Sequence, residues 1–388
     1  MKTMRILVTG ATGYIGSRLV TALLADGHEV VVASRNTDKL AAFGWRDKVR
    51  AVTLDAGSSD SAALALAEAG SVDVIYYLVH GIGQAGFRER DTQGATNVAQ
   101  AAKKAGVGRI VYLGGFVPDD DTLSEHLAGR AEVAEALQID GGPEVVWLGA
   151  AIIVGAGSTS FEMVRYVGDR LPLIPLPSWA DNAIDPISIS DALYYLQAAA
   201  DTEAVPAGAY DITGPDSTTY RGLIGGYVHA AGNRRAGLPF NGWPEALVPK
   251  ALTAWVAGNV VPVPTGLAVD LIGSLDHPMT ASASRLSDIV PDPPGGLTPI
   301  DDAIAAAVAS PAPRPVDQLA DPHDLADTDP DWAGGDALRL RRWMRAVTPS
   351  AARPAAGHLI NAVPKPLAAV ARTGLDILAG LAAKVDPA

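Results

Sequence analysis

"RILVTGATGYIGSRLVTALLADG", residues 5–27, begins with a run of aliphatic and β-branched residues, turns on three glycines and continues with apolar residues at helical spacing. A strand that passes through Gly10, Gly13 and Gly16 into an amphipathic helix can turn tightly and let its backbone approach a pyrophosphate. The free N–H groups and dipole of the helix start favour that negative charge. Glycine alone also serves ordinary strand-to-helix turns, so the context decides: strand before, helix after, near the N-terminus. The stretch therefore reads as a dinucleotide-binding turn, with Gly10, Thr12, Gly13, Tyr14, Ile15 and Gly16 as contacts.

Five further runs of the same kind follow, at 29–35, 49–55, 73–79, 108–115 and 144–150, with helical periods between them at 60–70, 92–106 and 124–138. Short apolar runs separated by helices predict an α/β fold with a doubly wound parallel sheet of Rossmann type. Ligands of such sheets bind outside the carboxyl ends of the strands. That places Ala56 after the third strand, Leu78, Val79, His80 and Gly81 after the fourth, and Leu113 and Gly114 on the fifth beside the cofactor.

The end of the second strand bears on the choice of nucleotide. Where NAD binders carry an acid that accepts from the ribose hydroxyls, this chain has Ser34 and Arg35. A guanidinium accepts nothing, but it pairs with a 2′-phosphate and stacks on adenine, so NADP(H) is expected in preference to NAD(H). Asp55 stands where it could accept from the adenine amine, a helix N-cap being the rival reading.

"GATGYIG", Arg35, "VIYYLVHGIG", "RIVYLGG" and "GSTSFEMVRY" followed by "LPLIPLPSWADNAIDPISISDAL" together resemble the NmrA-like, atypical branch of the short-chain dehydrogenase/reductase superfamily. More narrowly, they are similar to bacterial NAD(P)-binding proteins of that branch with H-L-x-x-R in place of Y-x-x-x-K. The resemblance runs from about residue 4 to about 335. It implies an NADP-binding Rossmann core at 1–155 and a smaller substrate lobe at 156–310 with elements returning to the core. For chemistry it leaves reductases, quinone oxidoreductases and NADP-sensing regulators without turnover.

In the active short-chain enzymes a tyrosine passes the proton, a lysine lowers its pKa and holds the ribose, and a serine positions the carbonyl. None of the eight lysines here has a tyrosine four residues before it, and Gly114 and Gly115 occupy the serine level. Instead "SEHLAGRAEV", 124–133, sets His126 and Arg130 one helical turn apart on one face. An imidazole titrating near its ordinary value could donate a proton to a developing alkoxide, whereas Arg130 keeps its proton and can only hold ribose or phosphate. The plainer alternative is that His126 packs beside the ribose and Arg130 pairs with Glu125 or Glu132. His80 is a second candidate donor, or a loop histidine bonded to backbone. Phe161, Met163, Tyr166 and Trp179 read either as the wall of an apolar pocket or as core.

The whole chain bounds these readings. Its 388 residues carry 30 Lys and Arg against 43 Asp and Glu, a net of −13 that argues against nucleic acid. There is no cysteine, no metal-binding spacing and no hydrolase elbow. The start runs directly into the first strand, and the apolar run at 145–157 is too short to span a bilayer, so a cytoplasmic protein is expected. Residues 311–335 are rich in Pro and Asp and read as an acidic linker or surface strap; "DPDWAGG" at 329–335 resembles the lead-in to a lipid-binding domain of longer relatives. The 53 residues after it are too few for that domain, and 336–388 form instead a basic tail of amphipathic helical pattern that could fold back, meet a protein partner or lie on a membrane. Two functions stand: an NADP(H)-dependent oxidoreductase acting on an apolar carbonyl, enone or quinone, and a non-catalytic NADP(H)-binding sensor or scaffold.

Overall fold

The aliphatic runs become strands because alternate residues can be buried on both faces of one sheet. In the computed structural model, which describes all residues except 1–2, 82, 85, 117–124, 240–260, 283, 311, 349–366 and 377–388, six of them form β1 (Arg5–Thr9), β2 (Glu29–Ser34), β3 (Arg50–Thr53), β4 (Val74–Tyr77), β5 (Arg109–Gly115) and β6 (Glu144–Ala150). The strand Gly208–Asp211, which the sequence assigns to the lobe, returns to pair in parallel with β6. The sheet therefore has seven parallel strands, ordered Gly208–Asp211, β6, β5, β4, β1, β2, β3. Ile6 and Val8 face one core with Leu19, Leu23 and Leu196; Leu7 faces the other with Leu66, Val98 and Leu137.

Helices α1 (Tyr14–Ala25), α2 (Ser59–Ala69), α3 (Phe87–Ala105) and α4 (Glu125–Leu137) connect the strands. Helix α3 starts five residues earlier than its apolar pattern suggests, after Gly86 in the left-handed region. The lobe contains α5 (Thr159–Arg170), α7 (Tyr220–Ala230) and the helix Ile300–Ala309, packed round Phe161, Leu223, Tyr227 and Ile304. Helix α6 (Ile189–Ala198) joins the lobe to the sheet: its cap is Ser188, which accepts from the Asp191 N–H at 3.0 Å. Asp191, also a residue type suited to that cap, instead accepts from the Thr298 N–H at 2.8 Å.

The Pro/Asp-rich segment is no exposed linker. Val316, His323, Leu325, Ala326 and Asp329 are buried between α1 and the lobe. Asp329 is there because an arginine on α1 needs it, and Asp317 pairs with Lys48. Arg18 of α1 donates to both carboxylate oxygens of Asp329, at 3.0 and 2.8 Å, and to the carbonyls of Pro322 and Asp324. These side chains are 2% and 3% exposed, so the two charges are neutralised chiefly by each other. The remainder of "DPDWAGG" is stapled to α5: the Tyr166 hydroxyl donates to the Trp332 carbonyl and the Gly334 N–H to Glu162. The chain then continues into the helix Gly335–Val347, where Asp336 accepts from Arg170 of α5.

Candidate cofactor site

The glycine turn divides its labour. Gly10 has φ +69°, and a Cβ there would lie 2.5 Å from the Leu78 carbonyl oxygen; one on Gly16 would lie 2.2 Å from that of Gly10. These two glycines close the turn against β4 and against itself. Gly13 is the N-cap of α1 without any side-chain cap, so the first-turn N–H groups of Tyr14, Ile15 and Gly16 are left for a ligand. Thr12 and Gly13 are exposed at this rim. Only the backbone of Tyr14 can take part: its side chain turns inward under the Arg18 guanidinium, 4.0 Å from the ring centre, with the hydroxyl against Gly155. A pyrophosphate fits this end of the sheet.

At the neighbouring strand ends, the Ser34 hydroxyl donates to the Asn36 carbonyl at 3.0 Å, and Arg35 is exposed with no ion pair among the described residues. Asp55 is exposed too. It does not cap α2; Ser58 does, accepting from Ser61, while Asp55 accepts from the Gly57 N–H at 3.1 Å in a local turn. Ala56 is fixed by Asn97 of α3, whose amide donates to its carbonyl at 2.8 Å. Thr9 similarly joins β1 to β4, donating to the Tyr76 carbonyl and accepting from the Leu78 N–H. Sequence reasoning missed both residues; the signal was a polar side chain on an otherwise buried face.

The third part of the site lies where β4 and β5 meet α4. Leu78, Val79 and Leu113 are half-buried, and the Gly81 N–H donates to Asp91 of α3 at 2.8 Å. Glu132, one expected partner of Arg130, is taken by Arg88. Arg130 makes no ion pair among the described residues, although the Asp91 carboxylate is near enough to act on it, and its carbonyl accepts from the Tyr112 hydroxyl at 3.3 Å. The second expected partner, Glu125, has a side chain outside the described residues. Burial first, then the adjacent Arg130 and His80, hold the His126 pKa down at about 3. Its Nδ1 is buried and unpartnered. His126 is thus a neutral imidazole over the physiological range, and the expectation of an imidazolium donor gives way to that of a neutral hydrogen-bonding ring. The same influences act on His80, but its exposed side chain lets water screen them.

The two glycines at the serine level differ. A Cβ on Gly114 would sit 2.6 Å from the Trp147 indole nitrogen, whereas one on Gly115 meets nothing nearer than 3.8 Å. Gly114 is a packing residue; only Gly115 would admit a Cβ, at ordinary contact distance from Leu127 and Arg130.

The pocket-wall reading of the lobe fails for two of four residues. Phe161 and Tyr166 are fully buried, Phe161 edge-on to Tyr227 and Tyr166 with Val261 and Val263. Met163 and Trp179 keep partial exposure. The lobe instead reaches the site through the helix Thr265–Gly273, which packs on α4 and touches the loop after β4: a Cβ on Gly266 would lie 2.2 Å from the Gly83 carbonyl oxygen. Among the described residues no group of His, Asp or Glu forms a metal site, and no helix is long and apolar enough to cross a membrane.

Residues 10–139 match the model of an NAD(P)H-binding family. Among curated proteins, the chain is similar to the ceramide reductase of Caulobacter vibrioides, 28% identical over 229 residues that make up 58% of this chain and 70% of that protein. It is 27% identical to an uncharacterised protein of Mycobacterium tuberculosis over 56% of this chain but 22% of that protein. It is 30% identical to pinoresinol reductase 1 of Arabidopsis thaliana over 39% of this chain and 49% of that protein. The chain therefore spans less than half the length of the latter two. Among solved structures, a nucleoside-diphosphate-sugar epimerase from Staphylococcus aureus aligns with TM-score 0.62 at 17% identity, over 78% of this chain and 100% of that one. The triphenylmethane reductase of Citrobacter sp., complexed with NADP(H), aligns with TM-score 0.58 at 19% identity, over 78% and 99%. At such identities these likenesses establish the fold.

Proposed function

On the premise of an NAD(P)H-binding domain of the reductase and epimerase type, we propose that this chain is a cytoplasmic, NmrA-like atypical reductase that binds NADPH and reduces an apolar enone, quinone or carbonyl compound. The observation that carries this reading is Arg130: a cation at the carboxyl edge of the sheet, beside His80 and one turn from His126, that makes no ion pair among the described residues and has only the more distant Asp91 carboxylate acting on it. A buried or half-buried guanidinium left unmatched is suited to an anionic or hydroxyl-rich ligand.

When bound, the nicotinamide cofactor supplies the hydride. The chain's own residues bind and orient. The first-turn N–H groups of α1 receive the pyrophosphate, Arg35 meets the 2′-phosphate, and Arg130 holds the ribose next to the reacting ring. His126 offers a neutral N–H to the substrate oxygen, and the proton that completes reduction comes from water. Such a site suits a quinone or enone better than a simple ketone, whose alkoxide needs a stronger acid. Reduction rather than epimerisation is supported by the absent Tyr-x-x-x-Lys and by the names of two relatives as reductases.

The test is NADPH binding together with NADPH oxidation against a panel of quinones, enones and aldehydes. Turnover with one class is expected. Tight binding with no turnover on any class would leave the sensor reading, which the missing proton relay and the packed Gly114 favour.

A further inference from the structure

The helical residues 367–376 are turned inside out. Asp376 faces inward and accepts from Arg170 at 2.7 Å, from Arg339 at 2.8 Å and from Arg372 at 3.1 Å. Arg170 and Arg339 also hold Asp336, so the helix is locked by a shared ion network to α5 and to Gly335–Val347. Ala368 and Ala369 are buried on the same side. The opposite face carries Leu367, Val370, Ala371 and Gly374, an i, i+3, i+4, i+7 stripe, with Leu367 62% and Val370 72% exposed. An amphipathic helix folded onto a protein in water keeps its apolar stripe inward; this one presents the stripe outward.

The stripe is not isolated. Six of the eight large hydrophobic side chains exposed among the described residues belong to this part of the molecule: Leu173, Leu238, Trp343, Val347, Leu367 and Val370. Val370 and Ala369 line a cavity with Pro172 and Arg235, which directly precede the paired strands carrying Leu173 and Leu238. Such clustering marks an interaction surface. Its charge indicates the occupant. Residues 336–388 carry a net +5 while 1–335 carry −18, and near Trp343 in sequence stand Arg342, which also donates to the Asp331 carbonyl, and Arg341 and Arg345, one turn apart on the other side of the helix. A symmetric contact between two copies would set these like charges against each other.

We propose that this face docks on an anionic lipid surface, with Leu367, Val370 and Trp343 entering the headgroup boundary and Arg341, Arg342 and Arg345 meeting lipid phosphates. The acidic core then stays away from the membrane, with the cofactor site open to solution.

The test uses the full chain and sedimentation with phosphatidylcholine vesicles, with and without phosphatidylglycerol. Binding is expected only with phosphatidylglycerol and is lost in high salt. Leu367→Glu combined with Val370→Glu should abolish it while leaving thermal unfolding and NADPH binding unchanged. Arg341→Glu with Arg345→Glu, which keeps the apolar stripe, should weaken it by more than about tenfold. No binding to anionic vesicles, or wild-type binding by both double variants, overturns the proposal. So does a dimer in sedimentation velocity that the Leu367/Val370 variant dissociates while vesicles are ignored, because the face then belongs to a second copy.

Discussion

The arginines of the strap side and those of the cofactor side live under opposite conditions. Arg18, Arg165 and Arg170 are buried and matched to Asp329, Glu162 and Asp336. Arg35 and Arg130, at the carboxyl edge of the sheet, have no such partner among the described residues. Arg18 and Arg170 join α1 and α5 to carboxylates more than 150 residues away in sequence, and Arg165 is matched within α5; the second set is available to something outside the chain. A guanidinium is costly to bury alone, so the presence or absence of a carboxylate separates scaffold from site.

The sharpest way to break this contrast is to truncate one member of each set. Arg18→Ala leaves Asp329 buried and uncompensated and should cost about 3–5 kcal/mol of stability in urea unfolding. Arg130→Ala should stay within about 1 kcal/mol of wild type in the same experiment and weaken NADPH binding instead. Equal losses of stability would remove the distinction. Arg35→Ser comes next: loss of one charge-assisted contact should lower NADPH affinity by roughly 10- to 100-fold, by calorimetry, and leave NADH affinity nearly unchanged. A parallel fall for both nucleotides would count against Arg35 as the 2′-phosphate ligand.

A smaller effect separates the paired glycines. Gly114→Ser drives a side chain into Trp147 and should cost about 1–3 kcal/mol, while Gly115→Ser should be tolerated within about 0.5 kcal/mol. At neutral pH the smallest effect is that of His126, whose protonation shows only as pH falls. Unfolded, it takes up a proton near 6.5; folded, only near 3. Its contribution to stability is therefore complete above pH 6.5 and is lost as pH falls towards 3. His126→Asn should flatten that part of the curve of unfolding free energy against pH, and an unaltered curve would show that the ring is not held neutral.

The cap residues show where local reading goes astray. Asp55 and Asp191 are both good N-cap types, yet Ser58 and Ser188 cap the two helices. Serine and aspartate are nearly equal at that position, so composition cannot choose between neighbours three residues apart. Phe161 and Tyr166 went the same way, because an aromatic stripe at helical spacing looks alike whether it faces core or pocket.

By itself the sequence determined what depends on local order: the six strands, the glycine turn, the missing tyrosine and lysine, and the cation at the end of β2. Strand and turn follow from residue types a few positions apart, so they are written in consecutive letters. Only the tertiary structure decided what depends on distant partners. It put Gly208–Asp211 back on the sheet, gave Asp329 of the strap to Arg18 and Asp336 beyond it to Arg170, left Arg130 without an ion pair among the described residues, and turned the helical residues 367–376 with their charges in and their apolar face out. Pairing and burial are set by which surfaces meet in space, and no spacing along the chain records that.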